Sequence, residues 1–216
     1  MGEKDESKDA EYGLTRVLAL TDGVFGIAAT LLVIELIVPT LSAGATSADL
    51  WNALSEEFHT FLAYLLSFFI IGVWWNGHHR HYSLIRDTNS TLRWLNLLFL
   101  LWIALLPFFT KIIADYGSLQ VALALYSLDQ AAAGLFLSLS WVYASRNHKL
   151  IDKHLPEKTI RLTTIRSAIA PILFSVSIGV SFINPILTYI SWLGLAPTVA
   201  VVFWLEHKIE KDKVKR

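Results

Sequence analysis

The sequence predicts an all-α membrane protein with six transmembrane helices per chain. Of its 216 residues, 54% are hydrophobic and 17% are charged, whereas a soluble domain carries about a quarter charged residues. Apolar runs long enough to cross the roughly 30 Å hydrocarbon core of a bilayer recur along the chain. Lys and Arg fall on alternate connections. The stretch before the first run, the connections after the second and fourth, and the C-terminal tail hold nearly all of them. The connections after the first and fifth hold none, and Lys111 is the one basic residue at the remaining outer turn. The positive-inside rule then places both termini in the cytosol.

The chain divides into a polar, disordered cytosolic tail (1–12), a six-helix membrane domain (13–206) and a basic cytosolic tail (207–216). The first helix is expected from about Thr15, as N-cap, to Val38, stopped by Pro39. At about 1.5 Å per residue it spans roughly 36 Å. Residues 39–55 read as a small polar loop. The second helix begins near Phe58 and ends in Trp74, Trp75, Asn76, His78, His79 and His81. The third covers Leu92–Ile113 with Pro107 inside, the fourth Leu119–Ala144, the fifth Ile160–Ile183 with Pro171 inside, and the sixth Ile186–Leu205. Ala43-Gly44-Ala45 has the look of a signal-peptide cleavage site. The acidic leading segment and the long, charge-bearing apolar run argue for a membrane helix instead.

The polar residues inside the runs are the candidates for function. Asp22 stands about two turns into the first helix, where it needs a partner. Arg16 is six residues earlier, at the wrong spacing for an i, i+4 pair. The candidates at the same depth are Trp74, Asn76, His78 and His79 on the second helix and Asn96 on the third; such a knot could glue helices, or glue them and shape a gate. His78 and His81 share a face, but no carboxylate or thiol stands at ligand spacing, so no metal site is expected and a pH-responsive role suits the histidines better. Ile27, Leu31 and Ile34 line one side of the first helix. Gly23, Gly26, Ala28, Ala29 and Thr30 beside them are small enough for close helix approach. Glu35 could ring an outer mouth and attract cations, or sit at the interface. Asp129 is the deepest acid.

Arg16-Val-Leu-Ala-Leu20-Thr21-Asp22 resembles the Arg-x-x-x-Phe-Ser-Asp signature of the endolysosomal potassium-channel family called transmembrane protein 175 and its bacterial relatives. Leu20 and Thr21 stand where that signature has Phe and Ser. The following run, the Trp/Asn/His-rich end of the second helix and the six-span layout are similar too. The resemblance implies a homotetramer built from one six-helix repeat per chain, in the plasma membrane of a prokaryote. It implies a central pore lined by the first helices, narrowest at Ile27, with Leu31 and Ile34 as the next layers outward. Thr30 matches a threonine implicated in favouring potassium over sodium. Arg16, Thr21, Asp22 and their partners are implied to hold the pore helix. A ring of isoleucines would dewet when narrow and pass partly hydrated cations when widened.

What the chain lacks narrows the alternatives. It has no cysteine, so no disulfide or thiolate metal site, and its formal net charge of zero carries no nucleic-acid signal. It has no TVGYG-type filter, no Arg array of the voltage-sensing kind, no phosphate-binding loop and no nucleophile–base pattern. No cofactor is expected beyond the permeating K+, with membrane lipid and further copies of the chain as partners. The rival readings are a proton-coupled secondary transporter or proton pathway, suggested by Asp129, Glu35 and the histidines, and a non-conducting membrane scaffold.

Overall fold

The computed structural model describes residues 2–34 and 36–194. Among them are seven α-helices: α1 (Gly2–Ile34), α2 (Ser47–Glu56), α3 (Phe58–Tyr82), α4 (Ser90–Tyr116), α5 (Gln120–Ser145), α6 (Glu157–Ser181) and α7 (Pro185–Leu193), with a 3-10 turn at Arg146–His148 after α5. Among the described residues five stretches are long and apolar enough to cross a membrane: Tyr12–Ile34, Phe58–Tyr82, Ser90–Tyr116, Gln120–His148 and Glu157–Ser181. The sixth expected span opens as α7, begun by Asn184, whose side chain accepts from the N–H groups of Ile186 and Leu187, and by Pro185 in the first turn. The rest of that span and the basic tail lie outside the described residues.

Three boundaries differ from those expected. Helix α1 reaches back to Gly2, so Thr15 lies inside it and is not its N-cap. It ends at Ile34, short of Pro39. Within the supposed loop the chain forms α2, held by a capping box. The Asp49 N–H donates to Thr46 Oγ1, and the Thr46 N–H donates to Asp49 Oδ2 at 2.7 Å. The Thr-x-x-Asp spacing was visible in the sequence, but a stretch of small residues before it read as loop.

Helix α5 is the centre of the fold, packed between α4 and α6, while α1 lies against α4 and α3. Gly134 makes the close approach of α5 possible. A Cβ there would meet the Pro171 ring and the Trp74 indole, each at 2.8 Å. Pro171 and Pro107 both sit buried inside continuous helices, as neighbouring helices allow in a membrane domain. One core cluster joins Phe25, Ala28 and Leu32 of α1 to Trp74, Phe99, Ile103 and Leu106, and continues to Phe174 and Trp192. A second, at one end, gathers Val17, Tyr82, Ile85, Leu92, Trp141 and Ile151.

The two basic connections, after α3 and after α5, meet in space. Ile85 pairs with Ile151 as an antiparallel bridge, and the Arg86 N–H donates to Leu150 O at 2.8 Å. At the other end the turns after α4 and α6 are tied together by Gln120 Nε2 donating to Phe182 O and by Tyr189 OH donating to Gly117 O. The basic connections therefore share one face of the bundle and the Lys- and Arg-poor ones the other.

Candidate functional site

Helix α1 has two faces, and the site follows from their difference. Val17, Thr21, Phe25, Ala28 and Leu32 recur at three- and four-residue steps and are buried against α3 and α4. On the opposite side Ile27, Leu31 and Ile34 are 61%, 42% and 69% exposed. Gly23 and Gly26 share this uncovered side. A Cβ at either would find no atom within 4 Å, so the close helix approach expected of them is not made within the chain. Thr30, also exposed, donates its hydroxyl hydrogen back to the carbonyls of Gly26 (3.0 Å) and Ile27 (2.9 Å). Its oxygen lone pairs are thereby left on the uncovered side. Glu35 lies outside the described residues.

The buried face is fastened by a chain of hydrogen bonds running in one direction. His78 Nε2 donates to Asn96 Oδ1 at 2.9 Å, Asn96 Nδ2 donates to Thr21 Oγ1 at 3.1 Å, and Thr21 Oγ1 donates to Val17 O at 2.9 Å. Each donor meets an acceptor, so the residues satisfy one another without water. The His78 ring is clamped between Tyr82 (centroids 4.0 Å apart, 17° between planes) and Phe99 (5.7 Å, 5°). Three elements of the expected knot, Thr21, His78 and Asn96, are thus brought together. Their target is Thr21, not the neighbouring Asp22.

Asp22 is bound elsewhere. Trp75 Nε1 donates to its Oδ1 at 3.0 Å across the α1–α3 gap. Adjacent helical residues point about 100° apart. Trp74 therefore faces inward, donating to Gln130 Oε1 at 2.6 Å, while Trp75 faces α1. That rotation could have identified Trp75 from the sequence once Trp74 was placed in the core. Asn76 turns away, its Nδ2 donating to Gly72 O in its own helix. His79 stacks on Trp75 at 5.8 Å. The Arg16 guanidinium lies over the Tyr12 ring, 5.9 Å from its centroid. His81 is buried against Trp141. His78 and His81 are both buried in ring contacts, and His79 alone of the three is exposed. Among the described residues no group of His, Cys, Asp or Glu is arranged to hold a metal ion.

Beside the uncovered face runs a slot of about 370 Å³ between α1 and α3, bounded by Asp22, Gly26, Ala29, Phe68, Gly72 and Trp75. Asp129 lies away from it, buried in α5, where Gln130 Nε2 donates to its Oδ2 at 2.7 Å.

These features define a multi-span helical membrane protein whose first span is locked on one face and bare on the other. Residues 16–107 match the family model described as endosomal/lysosomal potassium channel TMEM175. A potassium channel of Streptomyces collinus is 34% identical over 177 residues, covering 80% of this chain and 84% of that one. A potassium channel of a Chryseobacterium species is 30% identical over 202 residues, covering 91% and 96%. The crystal structure of a lysosomal potassium-selective channel TMEM175 homolog from Chamaesiphon minutus superposes with a TM-score of 0.76 at 29% identity, covering 88% of this chain and 97% of that one. The chain belongs to the TMEM175 family, a family of ion channels and not of enzymes.

Proposed function

We propose that this protein is a homotetrameric, potassium-preferring cation channel whose central pore is lined by four copies of α1 and gated by a ring of Ile27. The observation that carries this is the two-sidedness of α1. One face is pinned to α3 and α4 by apolar packing and the His78–Asn96–Thr21 chain, while the Ile27–Leu31–Ile34 face stays largely exposed among the described residues. A stripe that pairs exposed aliphatics with bare glycines suits a helix that approaches copies of itself. The slot beside Asp22 and Trp75 leaves room for a neighbouring subunit at the same level. The named activities of the Streptomyces and Chryseobacterium relatives point the same way.

The mechanism follows from the ring's chemistry. Isoleucine offers an ion no ligands, so a narrow ring dewets and blocks, and a widened ring passes partly hydrated cations. Potassium, which sheds water more easily than sodium, is favoured. Thr30 adds a hydroxyl oxygen whose hydrogen is already committed to the helix backbone and whose lone pairs can replace a lost water. Leu31 and Ile34 continue the lining. We place the protein in the plasma membrane of a prokaryote, as its bacterial relatives suggest, with its basic connections and both termini in the cytosol, a reading the distribution of Lys and Arg supports.

Planar-bilayer recording of the purified protein under a potassium/sodium gradient tests this directly. A reversal potential displaced toward that of potassium is expected. Transport that saturates and moves an ion against its gradient when coupled to protons would replace the channel with a transporter, and absence of any current would leave a scaffold.

A further inference from the structure

Helix α2 forms without burying a single residue of its own. Its capping box explains why it is a helix, but not why it carries Leu50, Trp51 and Leu54 at 41%, 71% and 46% exposure. Of these, Trp51 and Leu54 belong to one side of a groove of about 610 Å³, within the roughly 300–1,000 Å³ of ordinary ligand sites. Ile37 and Val38 form a second wall, and Phe58 and Phe61 at the start of α3 form the third. The lining is aliphatic and aromatic apart from Ser55, Glu57 and Thr60.

Position and charge together indicate what fills it. The segment joins the ends of two membrane spans, so the groove lies at the edge of the hydrocarbon, where an amphipathic helix bearing Trp rests in the lipid interface. Between residues 36 and 61 the chain carries Asp49, Glu56 and Glu57 and no Lys or Arg. Asp49 is consumed by the cap; Glu57 stands in the groove wall, its Oε2 accepting from Thr60 Oγ1 at 3.1 Å, with Glu56 beside it. An anionic headgroup would meet only like charge there. A headgroup that presents an ammonium would meet a carboxylate.

We propose that this groove is a binding site for a phospholipid with an amine headgroup, phosphatidylethanolamine in a bacterial membrane, its acyl chain lying against Trp51, Leu54 and Phe61 and its ammonium against Glu57. The site is formed by α2 and the stretches on either side of it, residues 36–38 and the start of α3.

The test uses the full chain in phosphatidylcholine vesicles doped with equal mole fractions of either brominated phosphatidylethanolamine or brominated phosphatidylglycerol, whose bromines quench Trp fluorescence on contact. Subtracting the signal of Trp51→Phe isolates Trp51, and the replacement of so exposed a side chain leaves the core intact. Trp51 should be quenched about two- to fivefold more by the ethanolamine lipid, the preference a single partly exposed ion pair supports. Glu57→Gln should level the two lipids. Equal quenching, a preference for phosphatidylglycerol, or a preference that survives Glu57→Gln overturns the assignment. No quenching of Trp51 by either lipid also overturns it and means that a second copy of the chain covers the groove. Should Trp51→Phe fail to fold, native mass spectrometry of wild type and Glu57→Gln released from mixed vesicles decides the matter by which lipid stays bound.

Discussion

Asn96 Nδ2 donates to Thr21 Oγ1 at 3.1 Å, joining side chains 75 residues apart and fastening α1 to α4. Asn96 is the hinge of the whole chain of bonds, because its amide both receives from His78 and gives to Thr21. In lipid, helices are held by packing and by such bonds, not by exclusion from water.

Removal of that amide should therefore loosen α1. Asn96→Ala strands the His78 N–H and leaves a small void, a loss of about 1–3 kcal/mol for a buried unsatisfied polar group. The melting temperature of the purified protein in detergent should fall clearly, while Thr21→Ser, which keeps the hydroxyl, should move it far less. Equal melting of all three proteins would show that the bonds carry no stability.

Trp75 and Asp22 form a second fastening, across the slot. If the indole N–H is what Asp22 uses, Trp75→Phe and Asp22→Ala should each weaken assembly, and the double variant should be little worse than the more damaging single one. Size-exclusion profiles and crosslinking yields measure this. Additive losses would mean the two residues act separately.

How much of this was legible beforehand depends on which physical rule governed each residue. Helical periodicity and positively charged connections revealed the spans because both arise locally. His78 and Asn96 were recognisable because a polar group in an apolar run must find a partner, and Thr21 by its place in the Arg16–Asp22 signature. What the sequence did not specify was rotation. Whether Trp74 or Trp75 turns toward α1 depends on a helix phase set by tertiary packing, so Asp22's partner was missed, as was Gln130 as the acceptor of Trp74. Helix α2 was missed because its signal is a cap with no buried face behind it. The Ile27 stripe was visible as spacing, yet its exposure could only be seen once the opposite face was filled.

The α2 cap has its own acid signature. The Thr46 backbone N–H, and then the Thr46 hydroxyl, hold the Asp49 carboxyl below its ordinary range. A carboxylate with a depressed folded pKa contributes stability above its unfolded value, near 3.9, and loses it as pH falls through the still lower folded value. Hydrogen exchange over 47–56 should therefore be the same at pH 7 and pH 5 once the intrinsic rate is corrected. Thr46→Ala should speed it severalfold at both. A change between pH 7 and 5 in the wild type would place the titrating group elsewhere.

Thr30 tests selectivity apart from gating. Its hydroxyl oxygen is the polar atom placed beside the aliphatic stripe, with its hydrogen directed to the helix carbonyls. Thr30→Ala should reduce potassium-over-sodium preference while current persists, and Thr30→Ser should retain it. The reversal potential under a potassium/sodium gradient reads both. A reversal potential that stays in place in Thr30→Ala removes Thr30 from selection.

Ile27 tests the gate. The side chain is 61% exposed within its own chain, so a polar replacement there leaves the bundle core untouched. In the proposed tetramer, four asparagines in place of four isoleucines would offer carbonyl and amide groups to water at the proposed gate, abolishing the dewetting that would close it. Ile27→Asn should therefore raise the current measured at rest at least severalfold in planar bilayers, with melting temperature and oligomer size close to wild type. The pairing of those readouts matters. A leak accompanied by collapse of the oligomer would reflect damage to the assembly, whereas unchanged conductance in an intact oligomer would mean that the barrier to ions lies at another residue.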